Sequence, residues 1–265
     1  MKKQILYNLT IIAITIAVLS SCTIKGTLYD MTENPTSDEK ITMTVENQKN
    51  LNLTISGEGA ISIDWGDGST PENFSISSNG KDILKNYANA GSYNIIISGG
   101  SISEFDCSYN DIKELDISSN SKITNIVCNN NQLTKLTFGN NPSLKEVICD
   151  NNSLTSLDLK ENKAVNSLFC NDNKLTSLTI NNCTVIKVLL GSNNELTGLD
   201  LGNNQVISRV DICNNKMNTS ALNTLLNSLH DKNISDDKTV MITNNPGAST
   251  CDKANAIENG WTVVD

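Results

Sequence analysis

The sequence predicts a mainly β protein: a solenoid of five to six coils with two short parallel strands per coil. A β-sandwich-like module precedes it and an α/β cap closes it. Three observations carry that prediction. From about residue 101 to 218 the chain repeats every 21 residues, which is the signature of stacked coils. The columns of that repeat hold one chemistry each: Asn110, Asn131, Asn152, Asn173, Asn194 and Asn215 form one, and Leu115, Leu136, Leu157, Leu178 and Leu199 another. On both sides of the repeat the period changes, to two before it and to a helical spacing after it.

The elements follow in chain order. Lys2 and Lys3 precede an apolar run from Ile11 to Leu19, and small residues Ser20 and Ser21 lead into Cys22. Such a segment is a secretory signal, too short and wrongly flanked to stay as a membrane span. Leu19-Ser20-Ser21-Cys22 resembles the lipobox of bacterial lipoproteins, and the resemblance implies acylation at Cys22. Lipid there tethers the chain to a bacterial membrane without spanning it. Residues 22–40 read as the lipidated cysteine and a polar stalk. Some lipoproteins of the Bacteroidota carry acids just after the cysteine. Thr23-Ile24-Lys25-Gly26 does not, so an outer-membrane anchor with either a surface or a periplasmic orientation is expected.

Residues 41–100 alternate apolar and polar side chains, as in Ile41–Val45 and Leu51–Ile55, and read as strands. The turn Trp65-Gly66-Asp67-Gly68, followed by Ala90-Gly91-Ser92-Tyr93, resembles a PKD-type β-sandwich, shortened and fused to the first coil. Asp64 and Asp67 suit a calcium ion or the hydrogen bonds of a tight turn, and turn chemistry is the favoured reading.

Within the repeat, Cys107, Cys128, Cys149 and Cys170 form a further column, continued by Gly191 and Ile212. The whole pattern resembles the leucine-rich repeat family, in the form L-x-x-L-x-C-x-x-N-x-L-T-x-L-D-L-x-x-N, with two half-copies nested in each copy. The resemblance covers 101–218 and implies two strands per coil, near 126–128 and 136–138 in the first full copy. One coil cannot bury its own apolar side, so coils stack at about the 4.8 Å spacing of paired strands. A buried asparagine in each coil satisfies the backbone of a bend. Seven cysteines besides Cys22 are an odd number, and a file with parallel Cβ vectors suits neither disulfides nor a zinc site. They read as small apolar fillers, with a Cys213–Cys251 pair left open.

After the repeat, Leu222, Leu225, Leu226 and Leu229 at helical spacing predict a helix capped by Thr219 or Ser220. A strand over 239–243, a turn at Asn244-Asn245-Pro246-Gly247, a helix over 252–259 and a strand at 261–264 complete the cap. His230 is placed at the end of the first helix, where a cation suits the helix dipole.

Composition narrows the function. The formal net charge is −9, and removal of Lys2 and Lys3 with residues 1–21 takes it to −11. That balance argues against nucleic acid and anionic membrane surfaces as partners. Asparagine reaches 40 residues, of which about a third sit on or beside the columns, so the excess in 101–215 belongs to the architecture. The single histidine leaves no room for a His-rich metal site. The common catalytic motifs are missing, and Asp158 and Asp200 lie two coils apart on an open face. No catalytic residue, metal or cofactor is assigned.

A binding surface is assigned. Val127, Ile148, Phe169 and Leu190 alternate with buried positions and are expected on the solvent side. They make an apolar stripe about 15 Å long, bounded by Asp106 and Asp211. Asn129, Asp150 and Asn171 form its polar rim, which is the pattern of a protein-binding face. The expected function is non-enzymatic binding of another protein, a host or envelope component. Resemblance to internalin-like proteins adds adhesion or host contact to that expectation. The alternatives are a glycan-binding protein and a cell-envelope scaffold.

Overall fold

The computed structural model describes residues 39–202, 204–231 and 238–265. The expected signal, Cys22 and nearly all of the stalk lie outside the described residues.

Two long strands build the N-terminal module. β1 (Lys40–Asp64) and β3 (Lys81–Asp106) alternate buried and exposed positions and pair antiparallel in several runs. Residues 40–45 of β1 pair with 93–98 of β3, 50–55 with 81–86, 54–58 with 101–106, and 61–64 with 96–99. Register shifts between these runs let each strand serve in two sheet segments. β2 (Glu72–Ile76) joins the outer side of β1. The W-G-D-G turn needs its first glycine. Gly66 has φ +70°, and a Cβ there would lie 2.4 Å from the Asn94 carbonyl oxygen.

The module enters the repeat without a break, because β3 runs across residue 100 to Asp106. Its last residues open a parallel ladder with β5 (Asn125–Val127), β7 (Glu146–Ile148), β9 (Ser167–Phe169) and β11 (Val188–Leu190). The second half-repeats contribute β4 (Ile112–Asp116) and β6 (Lys135–Thr137), which extend the sheet from β1. They also contribute β8 (Ser156–Asp158) and β10 (Ser177–Thr179), which pair only with each other. Both strands of the first full copy begin one residue earlier than the repeat pattern predicts.

The parallel ladder passes the expected end of the repeat. β12 (Arg209–Asp211), β13 (Thr239–Met241) and β14 (Thr262–Val264) continue it in register. The solenoid therefore has about seven turns, more than the five to six expected. In its last turns helices replace the second strand: α1 (Thr219–Ser228) and α2 (Ala254–Glu258). The cap of α1 is Asn218, whose side chain accepts from the Ala221 N–H at 2.9 Å; Thr219 and Ser220, the predicted caps, already lie inside the helix. His230 follows the helix end, directly after the C-cap Leu229, but it is buried. It is 5% exposed, with Nε2 2.8 Å from the Ile207 carbonyl, its ring edge-on to Trp261, and its own carbonyl accepting from Trp261 Nε1.

One apolar core runs the length of this arrangement, from Ile41 and Trp65 through the leucine columns to Trp261. The asparagine column lies beside it and is almost fully hydrogen-bonded. Asn131 Oδ1 accepts from the N–H groups of Asn110 and Ile112, and its Nδ2 donates to the Cys107 and Cys128 carbonyls. Asn152, Asn173, Asn194 and Asn215 repeat the pattern, each accepting from the leucine N–H of the coil before. At the N-terminal end Asn110 exchanges two bonds with the Asn52 backbone, Oδ1 accepting at 2.8 Å and Nδ2 donating at 2.7 Å. The cap thus supplies the rung before the first. At the other end Asn245, read from sequence as part of a turn, is a seventh rung. It accepts from the Met217 N–H and donates to the Ile212 and Ile242 carbonyls.

Candidate functional site

The exposed side of the parallel ladder carries the predicted stripe. Asp106, Val127, Ile148, Phe169, Leu190, Asp211, Met241 and Val264 are aligned neighbour to neighbour on successive strands. Two corrections follow. Leu190 does not project into solvent: it is 4% exposed, whereas Val127, Ile148 and Phe169 are half-buried. Alternation fixes which side of the sheet a residue takes, but on a ladder with about 4.8 Å spacing its neighbours decide how much of it stays open. Leu190 stands between the Phe169 ring and Asp211. Asp211, for its part, does not end the stripe. It interrupts a longer column that resumes with half-buried Met241 and with Val264, 41% exposed.

The rim is an ordered file of side chains. Asp150 Oδ1 accepts from the Asn171 N–H at 2.7 Å and from Asn171 Nδ2 at 2.9 Å. Asn171 Oδ1 accepts in turn from the Ser192 N–H and hydroxyl, both at 2.9 Å. Asn129, in the same column, is half-buried, and its carbonyl accepts from the Tyr109 N–H. Burial pushes the Asp150 carboxyl up to about 6, and repulsion from Asp172 adds to the rise, against the lowering effect of the two Asn171 bonds.

The next column is set by backbone conformation. Tyr109, Asn130, Asn151, Asp172, Asn193, Asn214 and Asn244 all have φ between 53° and 60°. Asparagine and aspartate tolerate that left-handed conformation better than other side-chain-bearing residues. These residues therefore turn the chain at the strand end, and the rim they form is a by-product. Tyr109, which opens the column, is 69% exposed.

The cysteine column is core. Cys107, Cys128, Cys149 and Cys170 are wholly buried free thiols, and burial pushes each well above its ordinary range, as expected of inert fillers. Cys213 and Cys251 are free as well, so the pairing left open by the sequence does not occur. Cys183 has a separate place. It stands where the second half-repeat carries Asn120, Asn141, Asn162 and Asn204, and its Sγ is 3.4 Å from the Leu159 carbonyl oxygen. In the W-G-D-G turn, Asp64 accepts from the Gly66 N–H. Asp67 accepts from Ser69 and pairs with Lys85 at 2.9 Å, which with the Ser69 bonds holds its carboxyl down at about 2. Both carboxylates do turn work. Among the described residues no group of three or more His, Cys, Asp or Glu side chains is placed to hold a metal ion. Asp158 and Asp200 are both exposed, each accepting from a backbone N–H two residues ahead.

A groove of about 250 Å³ lies on the other sheet segment, across β3, β1, β4 and β6. Its walls are Thr42, Thr44, Asn94, Glu114, Asp116 and Lys135, with Ile96 as an exposed apolar side chain. It was not foreseen, because the strands that form it come from both the module and the repeat.

No family model and no curated protein matches the chain. Among solved structures it is similar to the functional domain of InlJ from Listeria monocytogenes, which includes a cysteine ladder. The sequences are 23% identical, with 59% of this chain and 37% of that one covered at a TM-score of 0.40. The chain thus spans little more than a third of the length of that protein.

Proposed function

We propose that the protein is a non-enzymatic binding module that captures another protein on the outer face of its parallel sheet. The observation that carries this is the column Val127–Ile148–Phe169, apolar and half-open beside a hydrogen-bonded polar rim. Half-buried apolar groups on a rigid ladder lose little conformational entropy on binding and gain burial. Replacing Phe169 and Ile148 together by Asp removes partner capture while leaving the melting temperature within a few degrees, because neither side chain is part of the core. Capture that survives the double substitution overturns the proposal.

The setting is part of the same proposal: export, acylation at Cys22, an outer-membrane anchor, and a role in adhesion or cell contact. Incorporation of radiolabelled palmitate that is lost in Cys22→Ser, and protease accessibility on intact cells, test the anchor and the side it faces. The PKD-type likeness of residues 41–100 belongs here too, as a spacer fused to the repeat.

One observation favours a second reading. The 250 Å³ groove offers the hydroxyls of Thr42, Thr44 and Thr137, an amide, two carboxylates and an ammonium group, which suits a glycan better than an apolar ligand. Binding on a glycan array that Glu114→Gln with Asp116→Asn abolishes, and that Phe169→Asp does not, selects this reading.

A further inference from the structure

The proposed face has a charge of its own. Its four outward columns carry Glu104, Asp106, Glu146, Asp150, Asp172 and Asp211, against Arg209 as the one cation among the described positions. Asp106 and Asp150 are both half-buried with Oδ1 held by two bonds, but Asp150 alone of the two is bonded from the next coil and stands beside the middle of the apolar column. Asp150 is half-buried at the edge of the apolar column, two residues past Ile148, and Asn171 holds its Oδ1 in place with two bonds. Among the described residues no hydrogen bond occupies Oδ2. The charged groups around it are Glu146 at the start of its own strand, Asp172 one coil on, and Asp106 two coils back. Lys145 and Lys187 stand at the opposite ends of their strands, before Glu146 and Val188.

We propose that the occupant of this face is a protein surface with an apolar ridge flanked by lysine or arginine, one of which pairs with Asp150. This deepens the reading of the stripe as a protein-binding surface and rests on it. Three physical points support it. A fixed, partly desolvated carboxylate next to apolar surface gains more from an opposite charge than an exposed one does. The acids on these columns favour a cationic approach and disfavour an acidic one. Burial also keeps the Asp150 carboxyl titrating near 6, so ion pairing there weakens as the pH falls through that value.

The probes are three synthetic peptides with one leucine spacing and flanking positions that are all Lys, all Gln or all Glu. Each is titrated calorimetrically against the full chain at pH 7.5 and pH 5. The Lys peptide binds at least about tenfold tighter than the Gln peptide at pH 7.5, and this preference shrinks at pH 5. Asp150→Asn, which keeps the acceptor for Asn171, removes most of the Lys preference, read as the ratio of Lys-peptide to Gln-peptide affinity. Equal binding of the Lys and Gln peptides, or a Lys preference that survives Asp150→Asn, overturns the cationic anchor alone. Binding of none of the three, or binding indifferent to Phe169→Asp with Ile148→Asp, overturns the stripe reading with it.

Discussion

The two halves of each coil use the same device and make unequal use of it. In the first half, seven asparagines from Asn110 to Asn245 run unbroken, and each donates to carbonyls of its own coil and of the segment paired before it. The sheet beside them is continuous across eight strands, from β3 to β14. In the second half, Asn120 Nδ2 and Asn141 Oδ1 are buried without a partner, Cys183 takes the place of one asparagine, and β8 and β10 form a sheet of two. The lesson is about division of labour. The half that carries the proposed binding face is the one whose asparagine side chains are all hydrogen-bonded, and the opposite half departs from that pattern.

The largest expected effect tests that contrast directly. Asn173→Ala removes four bonds and strands buried backbone groups, so urea unfolding should show a loss of about 4 kcal/mol. Asn141→Ala removes two donated bonds along with an acceptor that is already unpaired, and should cost about half as much. Equal losses at the two positions would break the comparison. A smaller effect measures what the tight half gives up for its surface. The Asp150 carboxyl is raised in the folded state from 3.8 to about 6. The native state therefore holds its proton more tightly than the unfolded chain does. Its contribution to stability is present below pH 4 and is lost as pH rises through 6. Asp150→Asn should stabilise the protein by about 1 kcal/mol at pH 7.5, after allowance for partial exposure, and by nothing at pH 3.5. The smallest effect sharpens the loose half. Cys183→Asn restores an amide donor toward Leu159 and an acceptor of the kind Asn120 and Asn204 offer to N–H groups ahead of them. The expected gain is under about 1 kcal/mol.

The repeat, its two strands per coil and the buried asparagine rungs were legible because a 21-residue period aligns identical side chains, and identical environments follow. Asn245 escaped because the segment holding α1 stretches the interval between Asn215 and Asn245 to 30 residues. The local pattern Val240-Met241-Ile242-x-x-Asn245 copies Val210-Asp211-Ile212-x-x-Asn215 and was the signal that could have found it. Leu190 was placed on the correct side of the strand and at the wrong depth, since depth depends on the neighbouring side chains rather than on period. The left-handed turn from Asn130 to Asn214 was not legible, because composition cannot separate an asparagine kept for its side chain from one kept for its backbone angle. Asp150 belonged to the predicted rim, but its fixed geometry depends on Asn171 in the following coil, a contact that no single repeat contains.

The asparagine rungs also give the solenoid a direction. Backbone amides donate both ways, Cys128 forward to Ile148 and Glu146 back to Thr124, whereas each asparagine side chain of the column bonds only its own coil and the one before it. Each side-chain rung thus rests on the coil before it, and Asn52 provides the first such contact for Asn110. Trimming coils from the C-terminal end leaves the remaining side-chain rungs closed, but removing the cap opens the first of them.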